Sequence, residues 1–447
     1  MADEHSDNSH QLLRLRYAIY TILVVTSLGN VVGRISHVES RDGRTPFLSA
    51  NDRSRWCTIR ALGDDGTFVI DEVIQQQGWN TIDKVRHTGS DGEPHFYSSK
   101  PTLLPTLLAG EYWLLKTLTG AGLERNAFYV GRLMLAITNG ALLLLYFGVL
   151  IKCVERWGTT DWGRIFVIAV ATWGTLLTTF GVTLNNHLPA AVSVAVSIYA
   201  TLRIWYDGLR GPQYFLMAGA AAAFAAANEL PALAFLVAIA LALFSRDRKA
   251  TLTYFMPAAA CVVVAFFATN RIAHDSWAPP YAHSDWYDFE GSQLTEATRK
   301  GIDRGEASKA RYGFHVIVGH HGILSLSPIW LLSLIGAALL ARRDRQPALA
   351  LLIVSLTIIC LVFYIILRPV GDRNYGGVTS GFRWMFWFIP LWSLTILPAA
   401  DAISERPIWR WLAWLLLLVS VASASYSAMN PWVHPWLYEY WAGLGWL

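Results

Sequence analysis

Asn51-Asp52-Arg53-Ser54-Arg55-Trp56 sets a carboxylate between polar and cationic neighbours at the start of a helix-compatible stretch. Two roles fit Asp52. It can cap the helix by accepting from the first free amides, or it can act as a general base, its pKa raised by partial desolvation at a membrane surface. Lys100, in Tyr97-Ser98-Ser99-Lys100-Pro101, either snorkels to lipid headgroups or faces a phosphate as a compact point charge. The stretch Arg368 to Arg383 joins glycines, which let backbone approach a ligand, to Arg368, Arg373 and Arg383, whose forked guanidinium groups suit phosphate. A turn with solvated arginines is the plainer reading. Asn185, Asn186 and His187 can hydrogen-bond sugar hydroxyls or cap a helix. Glu229 falls at membrane depth, where an unpaired carboxylate is costly and use in function is the default over an ordinary loop residue.

The elements that must position these groups are membrane helices. The chain has 447 residues, 54% of them hydrophobic and 15% charged, with a mean hydropathy of +0.35. That balance excludes an ordinary soluble domain. Apolar runs long enough to span a bilayer recur along it, predicting an all-α polytopic fold of about eleven spans: 17–36, 127–151, 163–182, 187–205, 212–227, 230–245, 252–272, 324–341, 347–368, 383–399 and 408–426. The domain reading is a cytoplasmic N-terminus (1–16), a transmembrane module (17–272) with its catalytic first loop at 37–120, an outer loop (273–323), and C-terminal helices with an aromatic tail (324–447). Trp432, Trp436 and Trp441 of that tail read as interfacial anchors.

Orientation follows from the short basic loops, Lys152/Arg156/Arg164, Arg203/Arg210, Arg246/Arg248/Lys249, Arg342/Arg343/Arg345 and Arg406/Arg410. All are cytoplasmic if the N-terminus is inside and the apolar segment 101–120 lies in the outer interface without crossing. The long polar loops, and with them the site, then face the extracytoplasmic side of the inner membrane.

Other classes find little support. The net charge of +4 reflects loop placement and points to no nucleic acid. Cys57, Cys153, Cys261 and Cys360 suggest no disulfide framework. His274, His283, His315, His320 and His321 match no closed zinc spacing, so no metal ligand is assigned, although a divalent metal stays open. Nucleotide-binding glycine loops, Walker lysines and serine-hydrolase elbows are missing from the sequence.

The first-loop acid within 51–56, the Lys100-Pro101-Thr102-Leu103 element opening an amphipathic helix, and Gly131-Arg132 at the next span together resemble the GT-C superfamily of polyprenyl-phosphate-sugar-dependent glycosyltransferases. The likeness is greatest to the branch of aminoarabinose lipid A transferases and protein O-mannosyltransferases, over roughly the first 250 residues. It implies transfer of a sugar from a polyprenyl-phosphate carrier to an acceptor hydroxyl on a glycan, lipid or protein. Asp52 would be the base, and Lys100, Arg383 and Arg373 would hold the donor phosphate. Asn185, Asn186, His187, Glu229 and Tyr375 would contact substrate, Tyr375 through a Tyr-Gly-Gly element similar to the family's. The chain departs from the pattern at Asn185-Asn186, where many members carry a second Asp. A transporter or flippase is the alternative, but no internal repeat appears and the polar candidates gather at one face.

Overall fold

The computed structural model describes residues 2–295, 297–342 and 346–447, with side chains from His10 onward. Arg343 and Arg345 of one basic cluster lie outside the described residues. Every expected span has a helical counterpart. Among the described residues eight helices are long and apolar enough to cross a membrane, from His10–Ile35 to Pro407–Tyr426. The other three, Pro212–Asn228, Leu230–Arg246 and Trp330–Leu340, are shorter. At 1.5 Å per residue a 17-residue helix falls a little under the roughly 30 Å hydrocarbon core.

Polar groups collect at the two ends of this bundle. At one end Arg16 forms a fork to Glu155 at 2.6 Å and reaches Asp161 at 2.5 Å. Arg156 and Arg203 share Asp207, and Asp401 accepts from the Thr159 and Thr160 amides. These are the ends that the basic-loop pattern groups together. The first loop, residues 185–187 and 228–229, and the segment 368–383 lie at the opposite end, tied to one another by the bonds described below.

The first loop is built on the helix Ala50–Asp65. Ser49 caps it, accepting from the Asn51 and Asp52 amides, and Gly66 closes it in the left-handed region at φ 70°. Trp56 stacks on Phe47 at 5.0 Å to form its buried face. A two-stranded hairpin, Lys84–Thr88 with Pro94–Ser98, follows; it departs from the all-α expectation, because alternating residues either side of Asp91-Gly92 favour a turn. The amphipathic helix Leu103–Thr119 packs beside Ala50–Asp65. Its Tyr112 hydroxyl and Lys116 both bond Asp64, while Leu107, Trp113, Leu114 and Leu118 face outward.

The cap over this end closes around a nest of imidazoles. His315 stacks on His320 at 3.9 Å, His321 on Tyr375 at 5.1 Å, and His434 on Tyr438 at 3.9 Å. Of the expected interfacial anchors Trp432 is instead buried within the protein, and the half-buried Trp441 packs edge-on against His315. Tyr375, expected at the substrate, instead turns its ring into this nest.

Two outcomes test this architecture. Burial holds His320 down to about 3 and His321 well below the ordinary 6.5. Both stay neutral in the folded chain while the unfolded chain takes up protons below 6.5, so their stabilisation is complete above that pH and is lost progressively towards 3. Melting temperature should therefore fall between pH 7 and pH 5, and His320→Gln/His321→Gln should flatten that fall. Separately, a Cβ on Gly336 would meet the Thr395 carbonyl of the facing helix at 1.6 Å, whereas Gly140 has open space. Gly336→Ala should lower the melting temperature sharply, and Gly140→Ala should leave it level or raise it.

Candidate active site

Asp52 sits in the first turn of Ala50–Asp65 and is 1% exposed. Its Oδ1 accepts from the Ser49 amide (2.7 Å), the Ser49 hydroxyl (2.9 Å) and the Arg53 amide (2.9 Å). Its Oδ2 accepts from the Leu48 amide and the Thr183 hydroxyl, both at 2.9 Å. Burial raises this carboxyl above the ordinary range, and the bonds from Ser49, Thr183 and Leu48 pull it back. With its lone pairs occupied, the expected free base is in geometry a capping carboxylate that pins the first loop to the bundle. Thr183 is the pin. Its carbonyl accepts from Asn139 and Asn185, and its hydroxyl also receives the Trp432 indole N–H at 3.2 Å.

Three residues after Asp52, Arg55 is 2% exposed and points inward. One amino group holds Asn51 at 2.6 Å, and the other donates to Asn186 Oδ1 at 2.6 Å. Asn186 in turn donates to the Asn228 carbonyl and, at 2.6 Å, to Glu229 Oε1. His187 Nδ1 also meets Glu229 Oε1, and its Nε2 lies 2.9 Å from an amino group of Arg383. An arginine can only donate, so Nε2 accepts and the proton sits on Nδ1, directed at Glu229. The neutral ring thus joins an anion to a cation. Arg383 is fixed further by its Nε–H to the Gly376 carbonyl at 2.9 Å and by the Trp432 ring 5.0 Å from its guanidinium carbon. Gly376 has φ 94°, and a Cβ there would press on Arg383, so only glycine suits that turn.

Lys100 joins this group through an ion pair with Asp83 at 2.9 Å, both side chains under a fifth exposed. Burial lowers Lys100, Asp83 restores part of the shift, and Arg55 and Arg383 lower it further. Arg55 is brought down to about 10, first by burial and then by Arg383. The Asp303 carboxyl is raised by burial and by Asp83, and Asn374 Nδ2 lies 3.5 Å from it. Three cations from distant stretches therefore feel one another's charge.

Not every expected residue joins them. Asn185 is spent on the Phe180 and Thr183 carbonyls and on capping Leu188. Arg373 is buried away from this bonded network, with Nε and one amino group unpartnered among the described residues. Arg55, Asp83 and Thr183 have no role readable from sequence, and Trp432 reads there only as an anchor. Arg55 lay within the quoted 51–56 pattern, but nothing local marks Asp83. Among the described residues no group of three or more His, Cys, Asp or Glu is placed to hold a metal. Asp83 and Glu229 already face cationic or N–H donors, and Asp52 its own helix and Thr183, so the oxygens of these carboxylates are turned to the protein's own donors.

No family model and no curated protein matches the chain in sequence. Solved structures do. The apo oligosaccharyltransferase of Archaeoglobus fulgidus aligns at a TM-score of 0.53 and 12% identity, over 96% of this chain and 57% of that one. The archaeal oligosaccharyltransferase AglB in complex with an inhibitory peptide and a dolichol-phosphate gives 0.51 at 12%, over 96% and 57%. The Archaeoglobus enzyme in complex with zinc and sulfate gives 0.50 at 14%, over 95% and 55%. The chain spans little more than half the length of the solved chains it matches. Its fold is accordingly that of these archaeal oligosaccharyltransferases.

Proposed function

We propose that this protein is a membrane glycosyltransferase that moves a sugar from a polyprenyl-phosphate carrier to an acceptor hydroxyl on the extracytoplasmic side of the inner membrane. The observation that carries this reading is the convergence of Arg55, Lys100 and Arg383 at one end of an apolar bundle. Like charges drawn together out of water favour an anion that neutralises them, and a lipid phosphate brings both that charge and an apolar tail. The N-terminus is then cytoplasmic, by the placement of the basic loops. A neighbour solved with a dolichol-phosphate and a peptide supports a lipid-phosphate donor and a separate acceptor.

In the transfer, the bond between the sugar's anomeric carbon and the carrier phosphate oxygen breaks while a bond to the acceptor oxygen forms. The phosphate leaves with the electron pair, and fixed cations stabilise the charge it gains. The acceptor proton passes to a carboxylate. We assign that carboxylate to Asp83 in preference to Asp52. Asp83 keeps 18% side-chain exposure and pairs with the Lys100 ammonium, whereas both oxygens of Asp52 are filled. Glu229, Asn186 and His187 serve by positioning Arg55 and Arg383.

Binding of a polyprenyl phosphate to the purified protein should weaken at least about tenfold in Lys100→Ala and in Arg383→Ala, the loss typical of a charge-assisted contact; unchanged affinity in both would overturn the phosphate assignment. Asp83→Asn should abolish release of polyprenyl phosphate from lipid-linked sugars while leaving carrier binding intact. Asp52→Asn should instead cost about 1–3 kcal/mol of stability through its unmet donors. The opposite pattern, with turnover lost in Asp52→Asn at full stability and kept in Asp83→Asn, would return the base to Asp52.

A further inference from the structure

Outside the bonded cluster, a groove of about 230 Å³ lies between the first loop and the 289–293 stretch of the second outer loop. It is smaller than the roughly 300–1,000 Å³ of drug-sized sites and matches one ring better than a chain. Its charged walls are Arg53 and Lys84, and no carboxylate lines it among the described residues. Both cations rest on neutral acceptors. Arg53 donates to the Asn80 and Phe47 carbonyls while its Nε stays buried without a partner among the described residues. Lys84 donates to Asn80 Oδ1 at 2.8 Å. Their charge is thus left uncompensated around an opening.

The remaining walls are those of a saccharide site. Asn80 and Gln293 contribute amides, which offer both donors and acceptors to a polyhydroxylated ring, while the Thr81 hydroxyl is spent on the Ala50 carbonyl and the Asp83 amide and only shapes the wall. Phe289 gives one apolar face, held edge-on against Phe96 at 5.2 Å.

The groove backs onto the reaction centre. Arg53 and Arg55 are two residues apart on a helix and so point about 200° from each other. Arg55 turns inward to Asn186, and Arg53 faces the groove. Asp83 and Lys84 divide in the same way, one paired with Lys100 and the other lining the groove. A ligand held here lies beside the reacting groups, separated from them by the backbone of residues 80–84.

We propose that this groove binds an acidic sugar unit, such as a uronate, of the acceptor glycan, holding the chain so that a neighbouring hydroxyl reaches the reaction centre. The proposal rests on the glycosyl-transfer reading above.

Saturation-transfer NMR on the full chain in nanodiscs, with glucuronic acid, glucose and an acidic tripeptide as probes, tests it. Glucuronic acid should bind, glucose at least about tenfold more weakly, and Arg53→Gln/Lys84→Gln should remove the difference, as expected for lost charge-assisted bonds. Arg53→Lys should retain the signal, and polyprenyl-phosphate binding should be unchanged in all three proteins. Equal signals from glucose, a signal unaffected by the double variant, stronger binding of the tripeptide, or displacement by phosphatidylglycerol vesicles would each overturn it, the last by assigning the groove to lipid headgroups. If glucuronic acid binds as expected but the wild type binds no polyprenyl phosphate, the carrier reading fails and the groove survives as a sugar site.

Discussion

Holding like charges together away from bulk water is costly, and much of this end of the protein is organised to meet that cost. Arg55 is fully withdrawn, and Lys100 and Arg383 are partly so. Their supports are few: Asn51 and Asn186 for Arg55, Asp83 for Lys100, and His187 with the Gly376 carbonyl for Arg383. The supports compensate these cations without saturating them. Glu229 reaches Arg55 and Arg383 only through neutral side chains, so no carboxylate forks directly onto either guanidinium. The proposed carrier phosphate would supply the charge these cations lack.

The scaffold behind it explains why loops at a membrane surface can be so exact. Asp52 serves two elements at once, closing the capping box of its own helix and receiving Thr183 from the bundle. Thr183 carries the connection to Trp432, and Trp432 lies against Arg383. A single hydrogen-bonded path therefore runs from the start of the first loop to the C-terminal tail. The imidazole nest adds a second fastening around Tyr375, next to the glycine turn that holds Arg383. Loops carrying reactive groups are usually the more mobile parts of a fold; here they are stitched to buried polar atoms.

The sequence disclosed what composition and periodicity control. The spans and the shared end of the basic clusters followed from apolar length and charge placement. It disclosed less where tertiary proximity decides. Asn185 and Asn186 are adjacent and chemically identical, yet one closes a turn and the other bridges Arg55 to Glu229. Asp83 has no local mark, because its significance comes from meeting Lys100 across the hairpin. The capping role of Asp52 did have a signal, since Ser49 stands three residues before it as a capping box requires. Trp432 looked like any membrane-edge tryptophan, and only the folded tail reveals its contact with Thr183.

The central claim is that Arg55, Lys100 and Arg383 together hold the phosphate of a lipid carrier. It is tested most directly by a structure of the purified protein with a bound polyprenyl phosphate. The account predicts phosphate oxygens within hydrogen-bonding distance of the Lys100 ammonium and at least one of the two guanidinium groups, with the isoprenoid tail leaving between apolar helices. A phosphate seated elsewhere, with these three side chains unmoved and empty of ligand, would contradict it.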